Sequence, residues 1–445
     1  MKRFYLFLLS IAVVLVACQK ENSDVVIEVS FDAEDAECVG RVRSYCDALK
    51  LAEELLLEFD GEMTRSSHGG RKIMADQGQC IMRSVTRNGE VVEEPMIYIF
   101  NNENDEGFII VAADRTVSPV IAITESGNYT YGEPTGNESF DMYMGGAIAE
   151  LESLLPPPTG PITPIINHYY VTREEVQEKE PLLSTKWGQW GIFDNYCPNG
   201  APAGCVIMAM LQIMAYHEYP ASFTTTYSSD YPYGGSTITL NWDVLLQHTE
   251  EHSDTDACNP YHYQLSALSR EVGERVDCDY GLLTTGAPIE NVIPAFQSLG
   301  YSTGILIESE DNEEVIYDEL DDNRPLLMGG YRSNGSSLTG HVWVVDGYYD
   351  YKYIVETYSY GGMGIISPVM PAPGVPEGYT LTNTSVTRTQ MLHINWGWDG
   401  RCNGWFNLGN YVTNDAEEYD SQSHDNTLEY SYMLYNDIVY NIYAL

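Results

Sequence analysis

A single cysteine, Cys205, follows a loop of Gly, Ala and Pro and begins an apolar segment that runs to Pro220. The thiolate is the nucleophilic form of cysteine, and a helix N-terminus lowers the pKa of a thiol placed on it. Pro202 keeps the residue before it extended, and Gly204 permits another backbone to approach closely. The pattern indicates a nucleophile at the first turn of a buried helix. The competing interpretation is a structural cysteine, because most buried free cysteines are small core residues.

A cysteine nucleophile is activated by a neighbouring imidazole, and His341 is the best placed of the nine histidines. It follows a glycine at the start of the alternating strand pattern HVWVV, and catalytic groups are often mounted on such strand ends. A buried strand histidine is the alternative for this position. His217 is expected to be an interior or capping residue of the Cys205 helix. Four others lie in polar, loop-like surroundings, where solvated side chains are the default: His68, His248, His252 and His424.

The segment HINWGWDGRCNGWF supplies a third element of the same chemistry. In a strand, His393 and Asn395 share one face and Trp396 points to the other. The amide of Asn395 could accept the N–H of His341 and fix its tautomer, with indole rings shielding that bond from water. Nucleophile, base and orienting residue would then act as a triad.

The elements that must position these residues fall into two groups. Helical spacing of apolar residues predicts a helix over 38–59, and three strand-like runs follow at 96–100, 107–112 and 120–123. One helix followed by several strands predicts a small α+β unit. Five prolines within 156–164 then predict an extended linker and the domain boundary.

After the linker, the Cys205 helix is expected to end at Pro220. A second helix is predicted over 263–273, stopped by Gly273. The predicted strands of this region cover 325–328, 341–345 and 391–395.

The composition excludes several classes of partner. The 65 acidic and 22 basic side chains give a formal net charge of −43, which repels nucleic acid and anionic membrane surfaces. The nine cysteines include no C-x-x-C pair, and His217-Glu218 lacks the second histidine of a zinc-binding H-E-x-x-H, so no cofactor or metal is expected. Setting Cys18 aside as a lipidation site leaves eight cysteines. Whether all eight pair as disulfides or one stays a free nucleophile is not decided by their number.

The N-terminus has the layout of a secretory signal: two basic residues, an apolar run over 4–16 and a small-residue site before Cys18. The run is too short to span a bilayer as a stable helix. The cysteine after the site resembles a bacterial lipobox, whereas an ordinary signal peptide with an incidental cysteine is the alternative. We expect an exported protein, on the outer membrane or cell surface or released after processing. Its membrane contact would be through lipid on Cys18 alone.

Several sequence words resemble the streptopain-type cysteine peptidases of the papain-like clan. They occur in that family's order between Pro181 and Phe406, and they are PLLxTxWGQ, AGCV with QIMxYHxYP, VDCDYG, GHxxVVDGY, and NWGWxG with NGWF. The papain signature itself is absent. The resemblance implies an α+β fold, in which a small α+β propeptide domain precedes a papain-like peptidase domain with a helical part and an antiparallel β part.

The family's roles carry over by position. Cys205 matches the nucleophile, His341 the general base, Asn395 the orienting residue and Trp396 the indole that covers their contact. Only the resemblance identifies Gln189, as the side-chain donor of an oxyanion hole that the Cys205 backbone N–H completes. The implied organisation is a signal peptide (1–17), an inhibitory propeptide (18–155), a linker and activation region (156–180) and a catalytic domain (181–445).

The implied activity is an exported cysteine endopeptidase, made as a zymogen, that cleaves proteins or peptides through an acyl-enzyme. Two alternatives stay open: an inactive relative that binds peptides or host proteins, and a transglutaminase-like or peptidoglycan-cleaving Cys-His enzyme. This chain departs from streptopain by an insertion over 348–390, expected near the cleft. Bulkier residues, Ile207 and Met208, also follow the cysteine.

Overall fold

The computed structural model describes residues 26–28, 41–63, 70–87, 89–155, 159–160, 167–249, 261–281, 284–302, 304–308, 313–333, 338–360, 379–407 and 436–444. The predicted signal segment and its Cys18 lie outside these residues. None of the helices in these ranges is long and apolar enough to cross a bilayer. Six described cysteines are unpaired: Cys46, Cys80, Cys197, Cys205, Cys278 and Cys402.

The N-terminal half is an α+β unit, as predicted. Its elements are β1 (Val26–Glu28), α1 (Tyr45–Met63), β2 (Gln79–Arg87), β3 (Glu90–Asn101), β4 (Phe108–Ala112), β5 (Val120–Thr124), α2 (Glu138–Leu154) and β6 (Thr159–Gly160). The predicted helix is present but begins at Tyr45. A reciprocal cap explains that start, because Ser44 Oγ accepts the Asp47 N–H and the Asp47 carboxylate accepts the Ser44 N–H, each at 3.2 Å.

The C-terminal half contains a helical part and a set of antiparallel strands. Its first elements are β7 (Asn167–Lys179), α3 (Cys205–Tyr216), β8 (Ser222–Thr224), β9 (Thr237–Thr239), α4 (Trp242–Thr249), α5 (His262–Arg275), β10 (Asp279–Tyr280), β11 (Thr285–Gly286) and α6 (Val292–Ser298). The remaining elements are β12 (Ile305–Glu308), α7 (Glu313–Asp321), β13 (Leu326–Ser333), β14 (Leu338–Tyr360), β15 (Tyr379–Asn395), β16 (Gly404–Asn407) and β17 (Asn436–Tyr440).

Two predicted helix ends differ from the structure. The Cys205 helix ends at Tyr216, before Pro220. The second helix does not stop at Gly273 but continues to Arg275. Gly273 serves packing instead, since a Cβ there would collide with the hydroxyl of Tyr280.

The predicted linker region is partly built into the sheet. Residues 156–158 and 161–166 lie outside the described ranges, but β6 pairs with β2 and β7 pairs with β14 along Asn167–Lys179. Most of 167–180 is therefore an edge strand of the C-terminal half rather than a free connection. An edge strand has one side unpaired.

The two halves share one sheet. In its main path the order is β1-β2-β3-β4-β5-β16-β15-β14-β13-β17-β12, and the halves meet where β5 pairs antiparallel with β16. Helix α2 packs on the same side of this sheet as Trp343 and Trp396 of the C-terminal half. Strands of the two halves are thus joined by backbone hydrogen bonds as well as by a common core.

The insertion over 348–390 lengthens the β14–β15 hairpin, and residues 361–378 lie outside the described ranges. Its arm on β14 packs against the N-terminal half: the ring of Phe59 on α1 lies 5.1 Å from Tyr349 and 6.4 Å from Tyr351. Trp405 of β16 closes the same cluster at 5.6 Å from Phe59. The described arms of the insertion therefore form part of the surface against which α1 packs.

We expect Phe59→Ala to lower the free energy of unfolding by about 3–5 kcal/mol, because it removes a buried ring from this aromatic cluster. Urea denaturation of the full chain measures the loss. Leu57→Ala is the matched control, since Leu57 lies on the same helix and is 75% exposed. Equal losses for the two variants would contradict a common core between α1 and the insertion.

Candidate active site

Cys205 is the first residue of α3, as predicted, on a helix that is buried through Ala215. The preceding Gly204 has φ +99°, a conformation that favours glycine. A Cβ at Gly204 would lie 3.0 Å from the carbonyl oxygen of Thr285. Thr285 Oγ1 in turn donates to the Pro202 carbonyl at 2.7 Å. The loop before the nucleophile is therefore held by the chain itself.

Cys205 is 9% exposed. Burial raises its pKa above the ordinary value, and backbone N–H groups of Val342, Val206 and Cys205 itself act in the opposite direction without overcoming it. The Val342 N–H comes from β14, at the residue after His341. The backbone of the histidine strand thus reaches the sulfur.

The imidazole of His341 is not directed at that sulfur. Val342 and Val344 pack in the core around α3, whereas Trp343 and Val345 pack in the core on the opposite side of the sheet. Side chains alternate along a strand, so His341 leaves β14 on the side of Trp343. Burial lowers the pKa of His341 to about 4, and its Nδ1 has no hydrogen-bond partner. In this arrangement both the thiol and the imidazole are neutral at pH 7.

The predicted hydrogen bond between Asn395 and His341 is not formed. Asn395 lies opposite Val344, three residues from His341, so the two side chains leave the sheet on opposite sides. Asn395 Nδ2 donates to the Thr185 carbonyl at 2.7 Å, and its Oδ1 accepts from Gln212 Nε2 at 3.1 Å. The amide is therefore positioned by α3 and by the chain before Gln189.

Trp396 is buried on the opposite side of β15 from Asn395, as the alternation predicts. Its Nε1 donates to the Cys402 carbonyl at 2.9 Å, and its ring lies 5.2 Å from Trp343 and 6.1 Å from Tyr143 of α2. With no His341–Asn395 bond present, Trp396 does not cover such a contact. It packs instead between the histidine strand and the N-terminal half.

Gln189 lies beside the nucleophile loop. Its carbonyl accepts the Ala203 N–H at 2.9 Å, two residues before Cys205, and the residue is buried. The structure therefore brings Gln189 and the Cys205 loop together across 14 residues of chain. Its role as an oxyanion donor stays a prediction from the sequence resemblance.

The region that holds all five residues matches a known family. A family model described as the peptidase C10 family covers residues 187–406. The chain belongs to the peptidase C10 family. A second model, described as Spi protease inhibitor, covers residues 43–144 and so falls on the N-terminal half. The fold is a papain-like C10 peptidase domain preceded by a propeptide-like domain.

Relatives of the C10 chain are distant in sequence. Streptopain of Streptococcus pyogenes is 24% identical over 365 residues, which cover 73% of this chain and 76% of that protein. The thiol protease/hemagglutinin PrtT of Porphyromonas gingivalis is 26% identical over 344 residues, which cover 71% of this chain and 34% of that protein. A solved fragment of prointerpain A from Prevotella intermedia aligns with a TM-score of 0.49 and 18% identity, covering 82% of this chain and 99% of that one.

Two features of this C10 site escaped the sequence analysis. Gln212 is the only amide in the apolar helix CVIMAMLQIMAY, and that isolation was the available signal for its contacts with Asn395 and with Thr185 Oγ1. His393 was seen only as a neighbour of Asn395 on one face. It lies instead between two carboxylates, Asp346 and Glu125. No local sequence pattern predicts the pairing of His393 with Glu125, because the two residues are 268 positions apart.

We expect Gln189→Ala to lower kcat of the processed chain by about 10²–10³ with little change in KM, as loss of one oxyanion donor does. Steady-state hydrolysis of a fluorogenic peptide measures both constants. Gln297→Ala, at an exposed position on α6, is the control and should leave kcat unchanged. A kcat for Gln189→Ala within threefold of the control would contradict the assignment of Gln189 as an oxyanion donor.

Proposed function

We propose that this chain is an exported cysteine endopeptidase made as a zymogen. The observation that carries the proposal is the meeting of Cys205, at the N-terminus of a buried helix, with the Val342 N–H beside His341. Membership of the C10 family supports it, since the named relatives streptopain, PrtT and interpain A are cysteine proteases. The propeptide-like domain supports the zymogen form.

The described arrangement is the latent one in this proposal. With both groups neutral and the imidazole on the far side of β14, no thiolate–imidazolium pair exists. Helix α2 of the N-terminal half packs on that same side of the sheet. Cleavage in the proline-rich segment and departure of the N-terminal half would free the histidine strand to turn its imidazole towards Cys205.

In the activated form, the chemistry would proceed in two stages. His341 takes the proton of Cys205, and the thiolate attacks the carbonyl carbon of the substrate peptide bond. The Cys205 N–H and Gln189 stabilise the oxyanion, and protonated His341 gives its proton to the leaving amine. Water, deprotonated by His341, then hydrolyses the thioester and releases the acid product and the free thiol.

Export as a lipoprotein belongs to the same proposal and rests on the apolar leader and Cys18. Synthesis as an inactive zymogen would protect the proteins of the cell from the peptidase until it is exported. Mass spectrometry of the membrane fraction would detect an acylated N-terminal Cys18 peptide. A mature N-terminus other than Cys18 would contradict lipidation without touching the peptidase proposal.

The decisive experiment uses the chain without residues 1–18, with Cys205→Ala as control. We expect the wild-type chain to lose its N-terminal half over time by cleavage within 156–166, and Cys205 to take up an epoxide inhibitor of cysteine peptidases. The Cys205→Ala chain should stay whole and unlabelled. If the wild-type chain stays whole, it is trimmed with an outside protease and tested again. If Cys205 of the trimmed chain takes up no inhibitor, an inactive, peptide-binding relative is favoured.

A further inference from the structure

A carboxylate of the N-terminal half is largely enclosed by residues of the C-terminal half, with its side chain 13% exposed. Glu125 directly follows β5, and its backbone N–H donates to the Asn403 carbonyl at 2.8 Å. Its Oε1 lies 3.1 Å from Nε2 of His393, and its Oε2 lies 3.6 Å from Nζ of Lys186. Two ion pairs between the halves therefore end on one side chain, at the point where the shared sheet joins them.

His393 is enclosed between two acids. Its Nδ1 lies 2.6 Å from Oδ1 of Asp346, which is wholly buried, while its Nε2 faces Glu125. A neutral imidazole has one N–H, so hydrogen bonds to two carboxylates require the doubly protonated cation. Burial alone would lower the pKa of His393, but Asp346 and then Glu125 raise it to about 10. His393 is a buried cation in this form of the protein.

The carboxylate is held correspondingly strongly. Burial alone would raise the pKa of Glu125, but the hydrogen bond and charge of His393, followed by the charges of Lys186 and Arg71, lower it to about 2. Basic side chains are scarce in this chain, which has 22 of them against 65 acidic ones. A carboxylate with several cations around it is therefore unusual here. His393 is buried, so removing one of its two carboxylates is unfavourable, whereas Lys186, whose side chain is 49% exposed, keeps water as a partner.

This contact adjoins the candidate active site. His393 shares one face of β15 with Asn395, and Lys186 lies between Thr185, whose carbonyl binds Asn395, and Trp187. Asp346 Oδ2 also accepts the Leu183 N–H at 2.9 Å. The cations are thus fixed to the segment that leads to Gln189.

We propose that His393 and Lys186 form a carboxylate-binding site of the peptidase domain, and that Glu125 fills it as an ionic latch holding the propeptide in place. The inference rests on the proposed zymogen, since a latch has meaning only if the N-terminal half must leave. The carboxylate-binding site belongs to the peptidase domain, and the latch that fills it belongs to the propeptide. Removing Glu125 leaves His393 with Asp346 alone and leaves Lys186 without its carboxylate.

The latch gives propeptide binding a defined pH dependence. The charged groups around it are Asp346, Glu125, Lys186 and Arg71. Without Glu125, the pKa of His393 falls, so binding above that lower pKa requires uptake of a proton. Affinity therefore decreases by up to about tenfold per pH unit as pH rises from there towards 10. On the acid side, binding weakens when pH falls below the ordinary Glu pKa of about 4.5, as the free propeptide carboxylate protonates.

The test uses the full Cys205→Ala chain, cut once by an outside protease within 156–166, so that the two halves stay together without a covalent link. Dissociation on dilution is followed by sedimentation velocity between pH 5 and pH 9. We expect Glu125→Gln to raise the dissociation constant at least tenfold, because it also removes a carboxylate from the buried His393, and Lys186→Met to raise it about two- to fivefold, because the Lys186 side chain is 49% exposed. Glu125→Gln should also reduce the increase of the dissociation constant with pH above neutral pH.

The matched control is Glu103→Gln, which removes a carboxylate from an exposed ion pair with Lys72 inside the N-terminal half. It should change the dissociation constant less than twofold. The latch is wrong if Glu125→Gln and Lys186→Met behave like this control. Because Cys205 is absent, the result does not depend on peptidase activity, whereas the proposed function is tested by maturation of the wild-type chain. Each variant is first checked for a cooperative unfolding transition, and Lys186→Met decides from the other side if Glu125→Gln does not fold.

Discussion

His341→Ala lowers kcat/KM of the processed chain by about 10⁴–10⁶ in our expectation, the loss seen when the base of a nucleophile–base pair is removed. The structural reason lies at Cys205. Burial raises its pKa, and neither the helix N-terminus nor the Val342 N–H reverses that shift. A thiolate at neutral pH therefore depends on an imidazolium beside it, and among the described histidines His341 lies on the strand whose backbone reaches the sulfur.

The measurement is hydrolysis of a fluorogenic peptide by chains trimmed with the same outside protease, so that the variant need not process itself. His217→Gln is the control, because His217 caps the far end of the same helix and should change kcat/KM less than tenfold. Activity of His341→Ala within tenfold of the wild-type chain would assign the base to another group.

Cys205 should react with iodoacetamide at pH 7 at least 100-fold more slowly in the unprocessed chain than in the processed chain. In the unprocessed chain the thiol pKa is raised and the His341 imidazole is neutral and turned away, so the thiolate fraction is small. Cysteines paired with an imidazolium at a helix N-terminus have pKa values of roughly 3.5–7.5. The reaction rate should therefore still increase with pH above pH 9 before processing and be level above neutral pH afterwards.

Peptide-resolved mass spectrometry after short labelling gives the rate at Cys205 separately from the other cysteines. Cys278 serves as an internal reference, since it is half-buried in the described structure and takes no part in the proposed chemistry. Equal rates at Cys205 before and after processing would mean that the described arrangement of thiol and imidazole is not a latent one.

Local sequence determined the parts of this protein that local physics controls. The AGC loop and the apolar residues after it predicted α3, because a glycine with positive φ and a continuous apolar surface have few other uses. Alternation predicted the strands around His341 and Asn395 and the opposite orientation of Trp396. The sequence motifs shared with the family identified Gln189, which residue spacing alone did not identify.

Tertiary structure alone decided which side chains meet. Asn395 bonds Gln212 rather than His341 because the register of β14 on β15 places Val344 opposite it, and a side-chain period of two then separates it from His341. Glu125 meets His393 because β5 pairs with β16, a choice made by sheet packing. Helix and strand preferences are short-range properties of the chain, whereas strand register and ion pairing across domains are set by the burial of surfaces that only the assembled fold contains.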